Sequence, residues 1–146
     1  MKGENKIHNI VIPDGSILIK LIAKEKEDKE QTERFLKDIM DKKITCIIPS
    51  IALWEINNFI GRNFPKIGMA VFTHFRLLGF TEATLSLKIA ALTFNIMDSC
   101  PKVSFYDASY HALALHSGGT FITADQKYYE QAKKWKNIRL LKDYGN

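Results

Sequence analysis

The feature that most constrains this chain is an alternation. Short β-branched, apolar runs are each cut off by proline, glycine or a small polar residue, and helical patterns lie between them. Ile7 to Ile12 is such a run, stopped by Pro13 and followed by the turn-prone Asp14-Gly15-Ser16. Ile44 to Ile48, closed by Pro49-Ser50, is a second; Thr120 to Thr123 and Ile138 to Leu141 are two more, and Phe80-Thr81 is a very short one. Between them, Ser16 to Ile22 is compatible with a helix, and Asp28 to Lys42 sets Phe35, Leu36, Ile39 and Met40 at helical spacing. Ser50 opens a helix carrying Ile51, Ala52, Leu53, Ile56, Phe59 and Ile60. A further stripe runs from Ile67 to Leu78 and stops at Gly79. Leu85 to Met97 reads as a largely buried helix, Ser104 to Ser117 as a helix stopped by Gly118-Gly119, and Gln126 to Trp135 as a charged one.

Strands separated by helices require crossover connections, which are right-handed and cover both faces of a sheet. The pattern therefore predicts an α/β fold, a three-layer α/β/α sandwich with a central, mostly parallel sheet. With 146 residues, 46% of them hydrophobic, the chain can bury a real core but is short for two domains, so one domain over residues 1–146 is expected. No run of apolar residues is long enough to span a membrane, and the polar start, Met1 to Asn9, does not look like a secretion signal. Cys46 and Cys100 belong to no CxxC pair or zinc-type cluster, which fits reduced thiols in a cytoplasmic protein. A net charge of +5, with lysines gathered at 24–29, at 42–43 and from 127 to 142, is compatible with a polyanionic partner. Acidic residues interleave with these clusters, so charge alone does not establish one.

In parallel sheets the ligand site lies beyond the carboxyl ends of the strands, where strand order reverses. Four acids fall where that edge is expected. Asp14 and Asp125 follow strands, while Glu55 and Asp107 lie in the opening turns of helices. Three of them have ordinary structural explanations. Asp14 and Asp125 are good helix caps, and Ser104 with Asp107 fits a capping box. Glu55 is harder to account for. Its neighbours one turn away include Ile51, Ala52 and Phe59, none of them basic, so a partly buried carboxylate there calls for a partner from elsewhere or for a cation. Carboxylates gathered at one edge take up protons or a counter-ion, and oxygen donors select a hard cation such as Mg²⁺ or Mn²⁺. Such a centre suits phosphodiester hydrolysis, since the ion acidifies water and offsets charge on phosphate oxygens.

The stretches IVIPDGSILIKLI, IPSIALWEINNFI and VSFYDASYHALALHSGGTFITAD, with the helices between them, resemble the PIN domain, most closely the VapC-type ribonucleases of toxin–antitoxin pairs. The resemblance covers nearly the whole chain, and its most specific part is YDA with Tyr110, the following helix, a glycine turn and the strand ending in Thr123-Ala124-Asp125. It implies a catalytic set of Asp14, Glu55, Asp107 and Asp125 for RNA cleavage, with divalent metal, Mg²⁺ or Mn²⁺, held by Asp14, Asp107 and Asp125 directly or through water. Ser16 and Thr123 match hydroxyl positions beside the first and last aspartates, and Asn58 a polar position one turn beyond the glutamate. The resemblance also implies an antitoxin partner and a homodimer, with apolar helices around Phe59, Phe72 and Phe75 as the face for such contacts unless they pack the core.

His111 lies one turn beyond Asp107 and either faces the same edge or packs within the fold. A catalytically silent PIN-like module for RNA or protein binding is the alternative function. A phosphotransfer protein on a similar sheet is disfavoured, because an aspartate-nucleophile loop needs an acid where Ser16 stands.

Overall fold

The computed structural model describes residues 9–146, so Ile7 and His8, at the start of the expected first strand, lie outside the described residues. In chain order come β1 (Asn9–Pro13), α1 (Gly15–Ala23), α2 (Lys29–Met40), β2 (Ile44–Pro49), α3 (Ser50–Asn63), α4 (Gly68–Arg76) and β3 (Thr81–Ala83). Then follow α5 (Leu87–Ser99), α6 (Phe105–Ser117), β4 (Thr120–Thr123), α7 (Gln126–Ala132) and β5 (Ile138–Leu140), with short 3-10 turns at Lys133–Trp135 and Leu141–Asp143. The strands form one sheet in the order β3-β2-β1-β4-β5, and every neighbouring pair is parallel. The expected α/β/α sandwich is what the chain builds.

The order explains where a site can form. From β1 the chain winds outward through β2 to β3, then returns through α5 and α6 to place β4 on the other side of β1. Val11 faces Cys46 on one neighbour and Thr120 on the other, so β1 is the central strand and its border with β4 is the switch point. Loops leaving β1 and β4 diverge there to opposite faces, and the Asp14 amide donating to the Ile122 carbonyl (3.0 Å) fixes the two strand ends together.

Successive strand residues point to opposite faces, and the core divides accordingly. Ile12 and Phe121 enter the larger cluster with Ile48, Ala52, Ile56 and Ile96, beneath α3 to α6. Val11 and Ile122 enter the smaller one with Ile17, Phe35, Ile39 and Leu141, beneath α1 and α2. Each fully buried Ile or Phe contributes about 1.5–3 kcal/mol. Two glycines shape the return into β4. Gly118 ends α6 in the left-handed region (φ 70°), and Gly119 passes so close to β1 that a Cβ would lie 2.7 Å from the Ile10 carbonyl oxygen.

Some elements differ from expectation. The strand expected at Phe80-Thr81 is β3 at Thr81–Ala83, because Phe80 stacks on Phe75 (centroids 4.9 Å apart) and packs, partly buried, against the core before pairing starts. The helix expected from Leu85 as largely buried starts at Leu87 and buries only Ile89, Thr93 and Ile96, leaving Leu85, Leu87 and Phe94 exposed. Phe75 is a core residue, and Phe72 packs partly buried against that core. Among the described residues, no helix is long and apolar enough to cross a membrane.

Candidate active site

Asp14 is the centre of the crevice. It is the N-cap of α1, and both of its carboxylate oxygens are engaged. Oδ1 accepts from the Ser16 hydroxyl (2.5 Å) and the Ile17 amide (3.1 Å), and Oδ2 accepts from the Thr123 hydroxyl in a very short bond. Thr123, the last residue of β4 and 1% exposed, in turn accepts from the Asp125 amide at 3.0 Å. One hydroxyl therefore joins the ends of β1 and β4 and ties two of the four acids into a common frame. Asp125 caps α7 by accepting from the Tyr128 amide (2.9 Å), and its residue is exposed at the rim. The capping explanations raised by the sequence hold for both residues, and the cap geometry is what aims them.

Asp107 sits exposed in the first turn of α6. Ser104 accepts from its amide (3.1 Å), the forward half of a capping box. Glu55 projects from the second turn of α3, where it accepts from the Tyr110 hydroxyl (3.4 Å). Its Oε2 lies so near the start of α1 that a Cβ on Gly15 would come within 2.9 Å of it. Tyr110 is buried and stacks on Phe121 (6.0 Å), so an aromatic column from the core holds its hydroxyl under Glu55. Asn58, one turn beyond Glu55, is exposed, and no hydrogen bond among the described residues joins it to the acids.

The electrostatics show that these carboxylates sense one another. Burial lifts the Asp14 carboxyl above its ordinary range; bonds from Ser16, Thr123 and Ile17 oppose this, and Asp107 adds to the rise. Burial also raises Glu55, with the Tyr110 hydroxyl pulling it down and the charges of Asp107 and Asp14 pushing it up. Asp107 is raised by burial, lowered by Ser104 and raised by Asp125. No cation enters any of these balances, and no salt bridge among the described residues reaches the four acids. Among the described residues the edge is thus a concentration of carboxylates, with no ion pair to any of the four.

Among the described residues no three His, Cys, Asp or Glu side chains gather closely enough to cage a metal on their own. A hard cation of the Mg²⁺ type takes one or two carboxylates directly and reaches others through water, and the donor set here fits that arrangement.

His111 does not belong to the crevice. It is fully buried, with Nδ1 3.0 Å from the Tyr128 hydroxyl and Nε2 2.7 Å from the Lys136 carbonyl. Nε2 must carry the proton it donates to Lys136, which leaves Nδ1 to accept from Tyr128. Burial lowers its pKa, so this pin between α6 and the turn before β5 stays neutral. Tyr110 and Gly15 are the supporting residues that reading the acids alone passes over. Tyr110 is one turn from Asp107 on α6, a spacing that could have pointed to it, whereas the close approach at Gly15 leaves no local signal.

The profile of the PIN domain matches residues 11–134, and the chain belongs to that family. No curated protein matches it. Among solved structures, a toxin–antitoxin complex from Klebsiella pneumoniae superposes with a TM-score of 0.68 at 17% identity, covering 90% of this chain and 97% of that one. VapBC2 from Rickettsia felis, solved bound to a DNA fragment from its promoter, gives 0.68 at 15% identity over 90% and 96% of the two chains. VapC20 of Mycobacterium tuberculosis, a toxin that cleaves the sarcin–ricin loop, gives 0.62 at 14% identity over 82% and 93%. At such identities the likeness is one of fold.

Proposed function

We propose that the chain is a divalent-metal-dependent endoribonuclease that hydrolyses RNA phosphodiester bonds and serves as the toxin of a type II toxin–antitoxin pair. The observation that carries this reading is the group of mutually repelling carboxylates at the β1/β4 switch point, none of which is in a salt bridge among the described residues. Asp14, Asp107 and Asp125 are the residues to hold Mg²⁺ or Mn²⁺, partly through water. The ion, when bound, supplies Lewis acidity to the phosphate and a more acidic water. Glu55 is exposed and is not assigned to the metal, and its raised pKa suits it to accept a proton from the attacking water. Tyr110 orients that carboxylate and Thr123 and Ser16 keep Asp14 aimed; in this proposal Ser16 and the exposed Asn58 meet the substrate backbone.

The same reading gives one nuclease domain over residues 1–146, working in the cytoplasm as a homodimer with an antitoxin partner. Two surfaces support the protein contacts. A mostly apolar groove of about 1160 Å³, lined by residues of α1, α2 and α4 and including Leu36, Met40, Ala70 and Leu77, is open to an antitoxin segment. Trp54, Leu87 and Phe94 are large exposed apolar side chains on α3 and α5, suited to a second copy.

A silent PIN-like binding module is the second reading. Incubating the purified protein with RNA in Mg²⁺, in Mn²⁺ and in EDTA separates the two. Cleavage in metal alone, lost in Asp14→Asn and Asp107→Asn, is expected of the nuclease. Cleavage that survives EDTA or both substitutions, or no cleavage by the wild type, rejects it.

A further inference from the structure

Beside the acids lies a lysine that the catalytic scheme leaves unused. Lys20, in the last turns of α1, is 6% exposed. Its Nζ pairs with Glu25 Oε2 at 2.9 Å, and the Glu25 side chain is 47% exposed. As a stabilising device this pair is poor. Taking an ammonium out of water costs several kcal/mol, while a pair to a half-exposed acid returns about 0–1. Glu25 also stands in a segment flanked by left-handed non-glycine residues, Lys24 (φ 48°) and Asp28 (φ 54°), a backbone region that L side chains disfavour.

The surroundings suggest a use for the charge. Lys20 and Glu25 line a cleft of about 340 Å³ whose other walls are Ser16, Ile19, Ala124 and Asp125. Asp125 is part of the cleft wall and Ser16 bonds to Asp14, so the cleft adjoins the acid cluster on its Asp14 and Asp125 side. Ser16 and Lys20 are four residues apart on α1 and share one face, about one helical turn apart. A polyanion approaching four carboxylates is repelled, and among the described residues lining this cleft Lys20 is the one cation.

We infer that Lys20 is a phosphate-binding residue that grips the RNA phosphate next to the one being cleaved, and that Glu25 masks it until RNA displaces the carboxylate. The inference rests on the nuclease reading and deepens it by naming how the backbone is held. Displacement exchanges one charge-assisted contact for another and breaks no covalent bond.

The test uses the full chain and a short fluorescein-labelled single-stranded RNA, read by anisotropy over a salt series in EDTA, with cleavage of the same RNA in Mg²⁺ measured in parallel. Lys20→Met is expected to weaken binding about tenfold and to flatten the log–log salt dependence by about 0.7, the value for one phosphate contact to a single strand. Lys20→Arg should keep most of the affinity. Glu25→Gln, which removes the competitor at a half-exposed position, should tighten binding about threefold. If Lys20→Met does not fold, Glu25→Gln decides alone. Affinity and salt slope left unchanged in the variants, or weakened binding in Glu25→Gln, overturn the inference while wild-type cleavage in Mg²⁺ leaves the nuclease reading standing. A wild type that neither binds nor cleaves RNA removes both.

Discussion

Replacing Thr123 with valine tests the frame that joins the two strand ends. The side chains are nearly the same size, so no cavity opens, and the change is the loss of one hydroxyl from a residue that is 1% exposed. That hydroxyl donates to Asp14 Oδ2 and accepts from the Asp125 amide. A hydrogen bond to a charged group contributes about 1.5–3 kcal/mol. The Asp125 amide belongs to an exposed residue, so water replaces much of the second bond. The net loss is therefore about 2 kcal/mol, or roughly 4–8 °C in Tm for a chain of this size. Thr123→Ser keeps the hydroxyl and removes a methyl group, which costs about 1 kcal/mol. The loss in the valine variant is full where Asp14 is ionised and shrinks as acid protonates it. Urea denaturation of both variants at neutral and acidic pH reads these differences directly. A valine variant no less stable than the serine variant, or a penalty independent of pH, would refute the claim that Thr123 holds an ionised Asp14.

Other consequences can be checked on the same footing. The folded-state pKa of Asp14 is raised above its ordinary 3.8, so the folded protein binds that proton more tightly than the unfolded chain does. The associated stability is present below 3.8 and is lost as pH rises through the folded value. Without divalent metal, Asp14→Asn should accordingly gain stability relative to wild type between acidic and neutral pH, read by denaturation at both, and a constant difference would contradict this. Gly15→Ala pushes a methyl group against the flexible end of Glu55. It should change stability by less than about 1 kcal/mol while lowering cleavage about tenfold to a hundredfold, measured as kcat/KM on RNA. Gly119→Ala meets the rigid Ile10 carbonyl instead and should destabilise by about 1–3 kcal/mol in urea titrations, with cleavage per folded molecule unchanged.

The outline of the fold was legible because apolar periodicity, proline stops and the Gly118-Gly119 turn all act locally. Phe80 has the β propensity of a strand residue, but it stacks on Phe75 across a turn and packs, partly buried, against the core instead. Leu85 and Leu87 read as part of a buried helix yet are exposed, because hydropathy does not say whether an apolar face has a neighbour within the chain. Glu55 illustrates the same limit. Ile51, one turn away, is 36% exposed, so the stripe that made this carboxylate conspicuous is not all core. What marks Glu55 in the structure is its relation to Tyr110, Gly15, Asp107 and Asp14, which are distant in sequence. In the sequence Lys20 is one residue of a helical run; only the packing of α1 against the turn after β4 encloses its ammonium in a cleft.

The central claim is that the acids at the switch point form one divalent-cation site, and calorimetric titration of Mn²⁺ in buffers of different ionisation enthalpy tests it most directly. Because Asp14, Glu55 and Asp107 hold protons above the ordinary range, cation binding at mildly acidic pH should release protons and make the observed heat depend on the buffer. Asp14→Asn should abolish both the binding and the proton release. A wild type that takes up no Mn²⁺, or an Asp14→Asn variant that binds it as wild type does, would contradict the account.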